Sequence, residues 1–281
     1  MESSQTDQNP QIQSQPDQDL KPEKQITNML DTDEKDQLVN LFTDTDYQEI
    51  TYEYRDFKQT IYALKTSSTD YDLTGQIIWK AADILSKYIL DTIGPNIFQK
   101  RLTETGKCSI LELGSGPGLC GLVSQQFVSE VVFSDYQDLV MDLIRTNMSD
   151  SKPHMPSCIK LAAKLDWCKC HEDGYFEQCE LVNEDDMVKK RLSQCQFDFI
   201  IGSDIVYWTN SIKPLMNVLK ILFERNQGLV FYICYIERVK NVHKELLVQF
   251  KEYEFIVEEI GEELTKPIDV NSFIYRVTRN Q

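Results

Sequence analysis

The sequence predicts an α/β protein whose core is a seven-stranded, mainly parallel sheet with its last strand antiparallel, and three observations lead there. From Ser109 onward, strand-like apolar runs alternate with segments of helical period, the pattern of a parallel sheet covered on both faces. The string ILELGSGPGLCGLV, residues 110–123, passes from one apolar run to another through Gly114, Gly116, Gly118 and Gly121, which reads as a strand, a tight loop and the first turn of a helix. The last link, GEELTKPIDVN, is short and contains Pro, too little for a crossover helix, so the strand after it returns antiparallel.

The elements follow in chain order. Residues 1–36 are rich in Gln, Asp, Ser and Pro and poor in aromatic and branched side chains, so they bury too little to offset the entropy of ordering and are expected to form a disordered acidic tail. One domain, residues 37–281, is expected after it. QEITYEY and FKQTIYAL alternate aromatic or β-branched with polar residues and predict a hairpin or a pair of edge strands. In TGQIIWKAADILSKYIL, residues 74–90, Ile78, Ala81, Ala82, Leu85, Tyr88 and Ile89 recur at helical spacing, which predicts an amphipathic helix with Thr74 and Gly75 at its mouth and Trp79 near its start. Strands are expected near 109–113, 130–134, 159–165, 198–203, 228–234, 253–259 and 271–278, and helices near 118–127, 136–148, 180–192, 210–224 and 236–250.

Composition narrows the function classes. Of 281 residues, 41% are apolar and 26% charged, as in globular proteins, but the net charge of -16 is unsuited to a nucleic-acid or anionic-membrane partner. Residues 1–50 carry -9 of it, so the acid is concentrated at the start of the chain. No apolar run approaches the roughly 18 residues that a membrane span needs, and MESSQTDQNP lacks a basic then apolar leader. Eight cysteines without a secretory signal are expected as free thiols in the cytoplasm or nucleus. A monomer is expected.

The glycine loop has two readings. Gly116, Gly118 and Gly121 spell the dinucleotide fingerprint, and Asp135, seventeen positions after Gly118 at the end of VVFS, suits the ribose of NAD or of S-adenosylmethionine alike. Asp135 could also cap the helix expected from Tyr136, and the two roles are compatible. Three features favour S-adenosylmethionine: a whole helix carrying Trp79 precedes the loop; Glu112 stands where a pyrophosphate would repel it but an ammonium would not; and seven strands exceed the dinucleotide fold's six.

TGQIIWKAA, ILELGSGPGLCG, VVFSDYQDLVMDLIRTNM, LDW and FDFIIGSDIVYW occur in that order over roughly residues 70–280. The chain thereby resembles the class I, Rossmann-like seven-β-strand methyltransferases, and among them the family-16 protein lysine methyltransferases. Pro117 and Cys168 depart from it, standing where the family more often has Thr or Cys and Gly. The resemblance implies S-adenosylmethionine as cofactor, held by Trp79, Gly114, Ser115, Gly116, Asp135, Trp167 and Ser203; Glu112 joins them by its place immediately before the loop. It implies that Asp204 and Tyr207, a D-x-x-Y motif, stand beside the transferred methyl group, and that Tyr235 and Arg238 form an aromatic–Arg pair after the fifth strand.

These residue types suit methyl transfer. A lysine is a nucleophile only after its ammonium loses a proton, and the product carries the positive charge again. Asp204 is expected to hold the amine, and the faces of Tyr207, Trp208 and Tyr235 to accommodate a methylated ammonium. No metal is expected: Cys168, Cys170, His171 and Cys179 lack a second closely spaced ligand pair, and His154 and His243 have no partner motif. The expected function is therefore protein lysine N-methylation. The alternatives are a protein histidine or N-terminal methyltransferase, or a non-catalytic cofactor-binding assembly partner; a nucleic-acid methyltransferase is disfavoured by the absence of the N/D-P-P-Y/F tetrapeptide and by the acidic surface.

Overall fold

The computed structural model describes residues 47–64, 71–152, 155, 157–266 and 270–280. The chain divides into two units, Met1–Asp46 and Tyr47–Gln281, and every described residue belongs to the second. The expected tail, residues 1–36, lies outside the described residues, as does His154.

The second unit opens with the expected hairpin, β1 (Gln48–Tyr54) against β2 (Phe57–Ala63), a two-stranded sheet of its own. All seven strands expected after it form: β3 (Ser109–Leu113), β4 (Glu130–Asp135), β5 (Ile159–Lys164), β8 (Phe199–Ser203), β9 (Val230–Ile236), β10 (Phe255–Ile260) and β11 (Ser272–Arg279). Two more, β6 (Glu180–Val182) and β7 (Val188–Arg191), extend the sheet to nine, in the order β10-β11-β9-β8-β3-β4-β5-β6-β7. The five strands from β9 to β5 pair in parallel, and β11 runs antiparallel between β9 and β10, as the short final link requires.

Two expectations are corrected. The helix expected over 180–192 is the β6–β7 hairpin. Its tip folds back because Asn183 Oδ1 accepts the Met187 N–H at 2.9 Å, Asn183 O accepts the Asp186 N–H at 3.0 Å, and Asp186 is left-handed at φ 58°. An Asn that closes a turn with its own side chain competes with the helix that the spacing suggests. The helix expected from Thr74 starts later, because Tyr71–Gln76 is a 3-10 turn and Ile77 bridges to Leu64. Trp79 is still extended, and α1 covers Lys80–Tyr88. It continues as a wide π-helical stretch, Ile89–Phe98, whose Pro95 cannot donate a backbone hydrogen bond, and ends in α2 (Gln99–Thr105) at left-handed Gly106.

The remaining helices are α3 (Leu119–Ser124), α4 (Asp138–Asp150), α5 (Tyr175–Gln178), α6 (Thr209–Arg225), α7 (Lys240–Glu252) and α8 (Glu262–Thr265). Alternation along the parallel strands divides the core. Ile110 packs with Leu85, Leu122 and Ile144 of α1, α3 and α4, whereas Leu111 and Leu113 pack with Leu215, Leu219, Leu246 and Phe250 of α6 and α7. Each such buried side chain contributes about 1.5–3 kcal/mol, and together they fix which loops meet at the carboxyl ends of the strands.

Candidate functional site at the carboxyl edge of the sheet

The glycine loop joins β3 to α3. Gly114 and Gly116 have φ of 58° and 53°, the left-handed region, and a Cβ on Gly114 would lie 2.8 Å from Ile205, so glycine serves both the turn and the close approach. The loop is fastened to β4: Ser115 N donates to Ser134 O and Ser134 N to Ser115 Oγ, each at 2.9 Å, while Ser134 Oγ donates to Glu112 O at 2.7 Å. Asp135 ends β4 and faces the loop. Its Oδ2 accepts the Gly116 N–H at 3.2 Å, and its Oδ1 accepts from Tyr136 N at 2.8 Å and Gln137 N at 3.4 Å. Helix α4 has Gln137 at its N-cap, so Asp135 holds the link before the helix and leaves the cap to its neighbour.

Glu112, on β3, is 2% exposed and accepts the Gly121 N–H at 3.2 Å. Gly121 is needed for space alone, since a Cβ there would stand 2.3 Å from Phe133 and 2.7 Å from Glu112 Oε2. Burial pushes the Glu112 carboxyl up to about 8, and the nearby charge of Asp135 adds to the rise. Burial raises Asp135 too, against the three backbone N–H groups that favour its charged form.

The second half of the site is built by β8 and β9, parallel neighbours. Just beyond β8, Asp204 is left-handed at φ 57° and donates its N–H to Cys234 O at 2.9 Å. Its side chain is fully buried, and both oxygens accept from Arg238, Oδ1 at 2.6 Å and Oδ2 at 2.5 Å. This bidentate pair raises the pKa of Arg238 further, against the effect of its burial. The guanidinium lies over two rings, 5.1 Å from Trp79 and 5.3 Å from Tyr207, which are themselves 5.7 Å apart at 60°. Trp79 Nε1 donates to Thr74 O at 2.9 Å, fixing the indole. Burial holds the Tyr207 hydroxyl well above its usual range, so it stays a neutral donor.

Trp79, Asp204 and Tyr207 thus meet around Arg238, and Glu112, Ser115 and Asp135 meet around the glycine loop. Trp167 is half-buried in a 3-10 turn, Trp167–Lys169, and its ring lies 3.6 Å from where a Gly114 Cβ would stand. Ser203 Oγ accepts from the Cys120 thiol at 3.6 Å. Two aromatic expectations are corrected. Trp208 points to solvent at 58% exposure, and Tyr235 is 2% exposed with its ring against His243, so of the three faces expected for an ammonium Tyr207 alone joins the cluster. In the segment considered for zinc, Cys168 is exposed, whereas Cys170 and Cys179 turn inward and donate to Asp166 O and Tyr175 O. No cluster of three metal-binding side chains forms among the described residues.

The clamp between Arg238 and Asp204 was missed from sequence. The signal for it is the pairing of β8 with β9, which sets positions just beyond the two strands side by side although they are 34 apart in the chain.

The residues around the loop fit S-adenosylmethionine. Glu112, a buried carboxylate that burial and the neighbouring Asp135 both keep from ionising, suits an ammonium, and Asp135 suits a pair of ribose hydroxyls at a loop where two glycines leave the backbone bare.

The chain has relatives among known proteins. The chain is 28% identical over 191 residues to protein-lysine N-methyltransferase EEF2KMT of Mus musculus, covering 64% of this chain and 49% of that one. It is 24% identical over 176 residues to protein N-lysine methyltransferase METTL21A of Mus musculus, covering 62% and 67%. The chain spans about half the length of the curated relatives that it matches first. A solved S-adenosylmethionine-dependent methyltransferase from Clostridium acetobutylicum aligns with a TM-score of 0.46 at 8% identity, covering 71% of this chain and 92% of that one. The parallel core with its antiparallel insertion is the class I methyltransferase fold, carrying two extra edge strands. A family described as lysine methyltransferase matches residues 58–252, the greater part of the chain and nearly all of the site, and the protein belongs to that family.

Proposed function

We propose that this chain is an S-adenosylmethionine-dependent protein N-methyltransferase whose acceptor is a lysine side chain of a protein. The observation that carries the reading is the pairing, on one sheet edge, of a carboxylate awaiting a cation, Glu112, with a carboxylate already matched to one, Asp204.

Glu112 accepts the ammonium of the cofactor, Asp135 its ribose hydroxyls, and the bare backbone of Gly114 and Gly116, with Ser115 between them, lets the amino-acid part approach. Trp79, Trp167 and Ser203 complete the walls. When bound, the cofactor supplies a methyl group on a sulfonium. A lysine nitrogen takes that methyl by in-line displacement: the N–C bond forms, the C–S bond breaks, and its electron pair stays on sulfur.

The residues of the chain govern the nitrogen. Arg238 disfavours a second cation beside it and so favours the neutral amine. Each Asp204 oxygen spends one lone-pair direction on Arg238 and keeps another to accept an amine N–H. Tyr207 and Trp79 wall the nitrogen's approach and exclude water. Alignment of this kind is worth roughly 7–11 kcal/mol in well-oriented systems.

The protein acts as a monomer in cytoplasm or nucleus. No helix among the described residues is long and apolar enough to cross a membrane. The acidic first 36 residues recruit a basic protein partner and are dispensable for folding of the domain.

Two measurements test the reading. Calorimetry with S-adenosylhomocysteine is expected to show micromolar or tighter binding, and with NAD none; the reverse result overturns the cofactor assignment. Incubation with tritiated S-adenosylmethionine and an extract lacking the enzyme, followed by mass spectrometry of the labelled band, is expected to place the methyl on lysine. Label on a histidine ring or a protein N-terminus reassigns the acceptor, and no label with cofactor bound leaves the non-catalytic partner.

A further inference from the structure

Asn147 ties the glycine loop to the hairpin at the start of the domain. It lies in the last turns of α4 and is 1% exposed. Its Oδ1 accepts the Tyr62 N–H at 2.7 Å, and its Nδ2 donates to Tyr62 O at 2.8 Å and to Pro117 O at 2.9 Å. Both amide hydrogens are thereby used, one on strand β2 and the other on the residue between left-handed Gly116 and Gly118.

A second tie runs beside it. Gln125, at the C-cap of α3, donates from Nε2 to Gln59 Oε1 of β2 at 3.2 Å, and both side chains are buried. Strand β2 therefore holds the loop-and-helix unit at both ends, although it belongs to a separate sheet. The hairpin is fastened elsewhere too: Tyr54 OH donates to Asp91 at 2.6 Å and Thr60 N to Lys152 O at 2.6 Å.

Ser115 and Gly116 fasten the first part of the loop to β4, but three glycines in the left-handed region leave the stretch around Pro117 alternative conformations. A bond to the carbonyl of Pro117 from behind removes that freedom before a ligand arrives. We infer that Asn147 is a positioning residue for the cofactor loop and that, through it, the β1–β2 hairpin is energetically coupled to cofactor binding. The inference rests on the S-adenosylmethionine reading above. Coupling of this kind is reciprocal, so the cofactor must steady the hairpin as much as the hairpin steadies the loop.

The test uses the full chain and S-adenosylhomocysteine. Asn147→Asp keeps the shape and removes both N–H donors. Its Kd is expected to rise at least tenfold per folded molecule, whereas Phe250→Leu, a core change on α7 away from the loop, is expected to lower the melting temperature and keep Kd within twofold. In the unsubstituted protein, the ligand is expected to slow hydrogen exchange of residues 57–64 at least fivefold, and this measurement decides alone if Asn147→Asp does not fold. A Kd unchanged in Asn147→Asp, or hairpin exchange indifferent to bound ligand, overturns the inference and leaves the cofactor reading standing. Failure of the unsubstituted protein to bind the ligand overturns both.

Discussion

Glu112 lies on β3 and Asp204 just beyond its parallel neighbour β8, and the two are almost equally buried, yet their partners differ in kind. Glu112 leans on the backbone N–H of Gly121, while Asp204 is gripped at both oxygens by Arg238. A carboxylate taken out of water without a counter-charge resists ionisation, whereas a bidentate guanidinium supplies the counter-charge on the spot. Under the proposed function, the first receives charge that arrives with a ligand. The second is charge set in advance, and its geometry is fixed before any substrate enters. Under the proposed function, the two carboxylates divide the work of binding and aligning.

The strongest way to break the receiving half is to fill the space that Gly121 leaves. Gly121→Ala puts a Cβ 2.3 Å from Phe133 and 2.7 Å from Glu112 Oε2, so the ring or the carboxylate must move. Overpacking of this kind costs about 1–3 kcal/mol. The expected outcome is a melting temperature lower by several degrees and affinity for S-adenosylhomocysteine lower by about a hundredfold, read by calorimetry on the folded fraction. Unchanged affinity would mean that the Phe133 ring gives way and the Glu112 carboxylate keeps its place.

The preset half is tested by Asp204→Asn. Asn tolerates the left-handed backbone at φ 57°, which Ala does not, so the change isolates the charge. It leaves Arg238 with a neutral partner that offers one acceptor where two stood. Breaking a buried pair costs roughly 3–5 kcal/mol, and the lower end applies because the Arg238 side chain is 38% exposed. Turnover is expected to fall at least tenfold with cofactor affinity within twofold. Full turnover per folded molecule would remove the clamp from the mechanism. Tyr207→Phe should be milder, since the ring that faces Trp79 and Arg238 is retained.

Much of the receiving half is legible in the sequence because it is local. The glycine loop, Glu112 and Asp135 lie within 24 residues, and each follows from its place at the end of a strand whose apolar run is plain. The preset half depends on strand pairing. Arg238 reads as part of an aromatic–Arg pair, but that it holds Asp204 follows from β8 lying beside β9, and Tyr235 goes inward because β9 alternates with it on the core side. His243 is a similar case: it reads as an isolated histidine on a charged helix, and the fold buries it between Glu237, at 2.7 Å from Nδ1, and Tyr275, at 2.8 Å from Nε2. The hairpin read as a helix over 180–192 fails for a local reason instead, a side-chain turn at Asn183 that apolar spacing does not register.

The smallest effect sharpens the comparison most directly, because it reads the Glu112 carboxyl without a substitution in the first measurement. Burial pushes this group up to about 8, against about 4.3 in an unfolded chain, so the unfolded state ionises first. Its contribution to stability is full below about pH 4 and is lost as pH rises through 8. Binding runs the other way, since an ammonium prefers the ionised carboxylate. Affinity for S-adenosylhomocysteine is therefore expected to rise about fivefold from pH 7 to pH 8, following the ionised fraction of a group near 8. Binding at pH 7 should release roughly one proton, which calorimetry in buffers of different ionisation enthalpy counts directly. Glu112→Gln should flatten the pH dependence and abolish the proton release, while Asp204→Asn should leave both in place because its charge is matched before the ligand arrives. Proton release that persists in Glu112→Gln would assign the receiving charge to another group and erase the distinction between the two carboxylates.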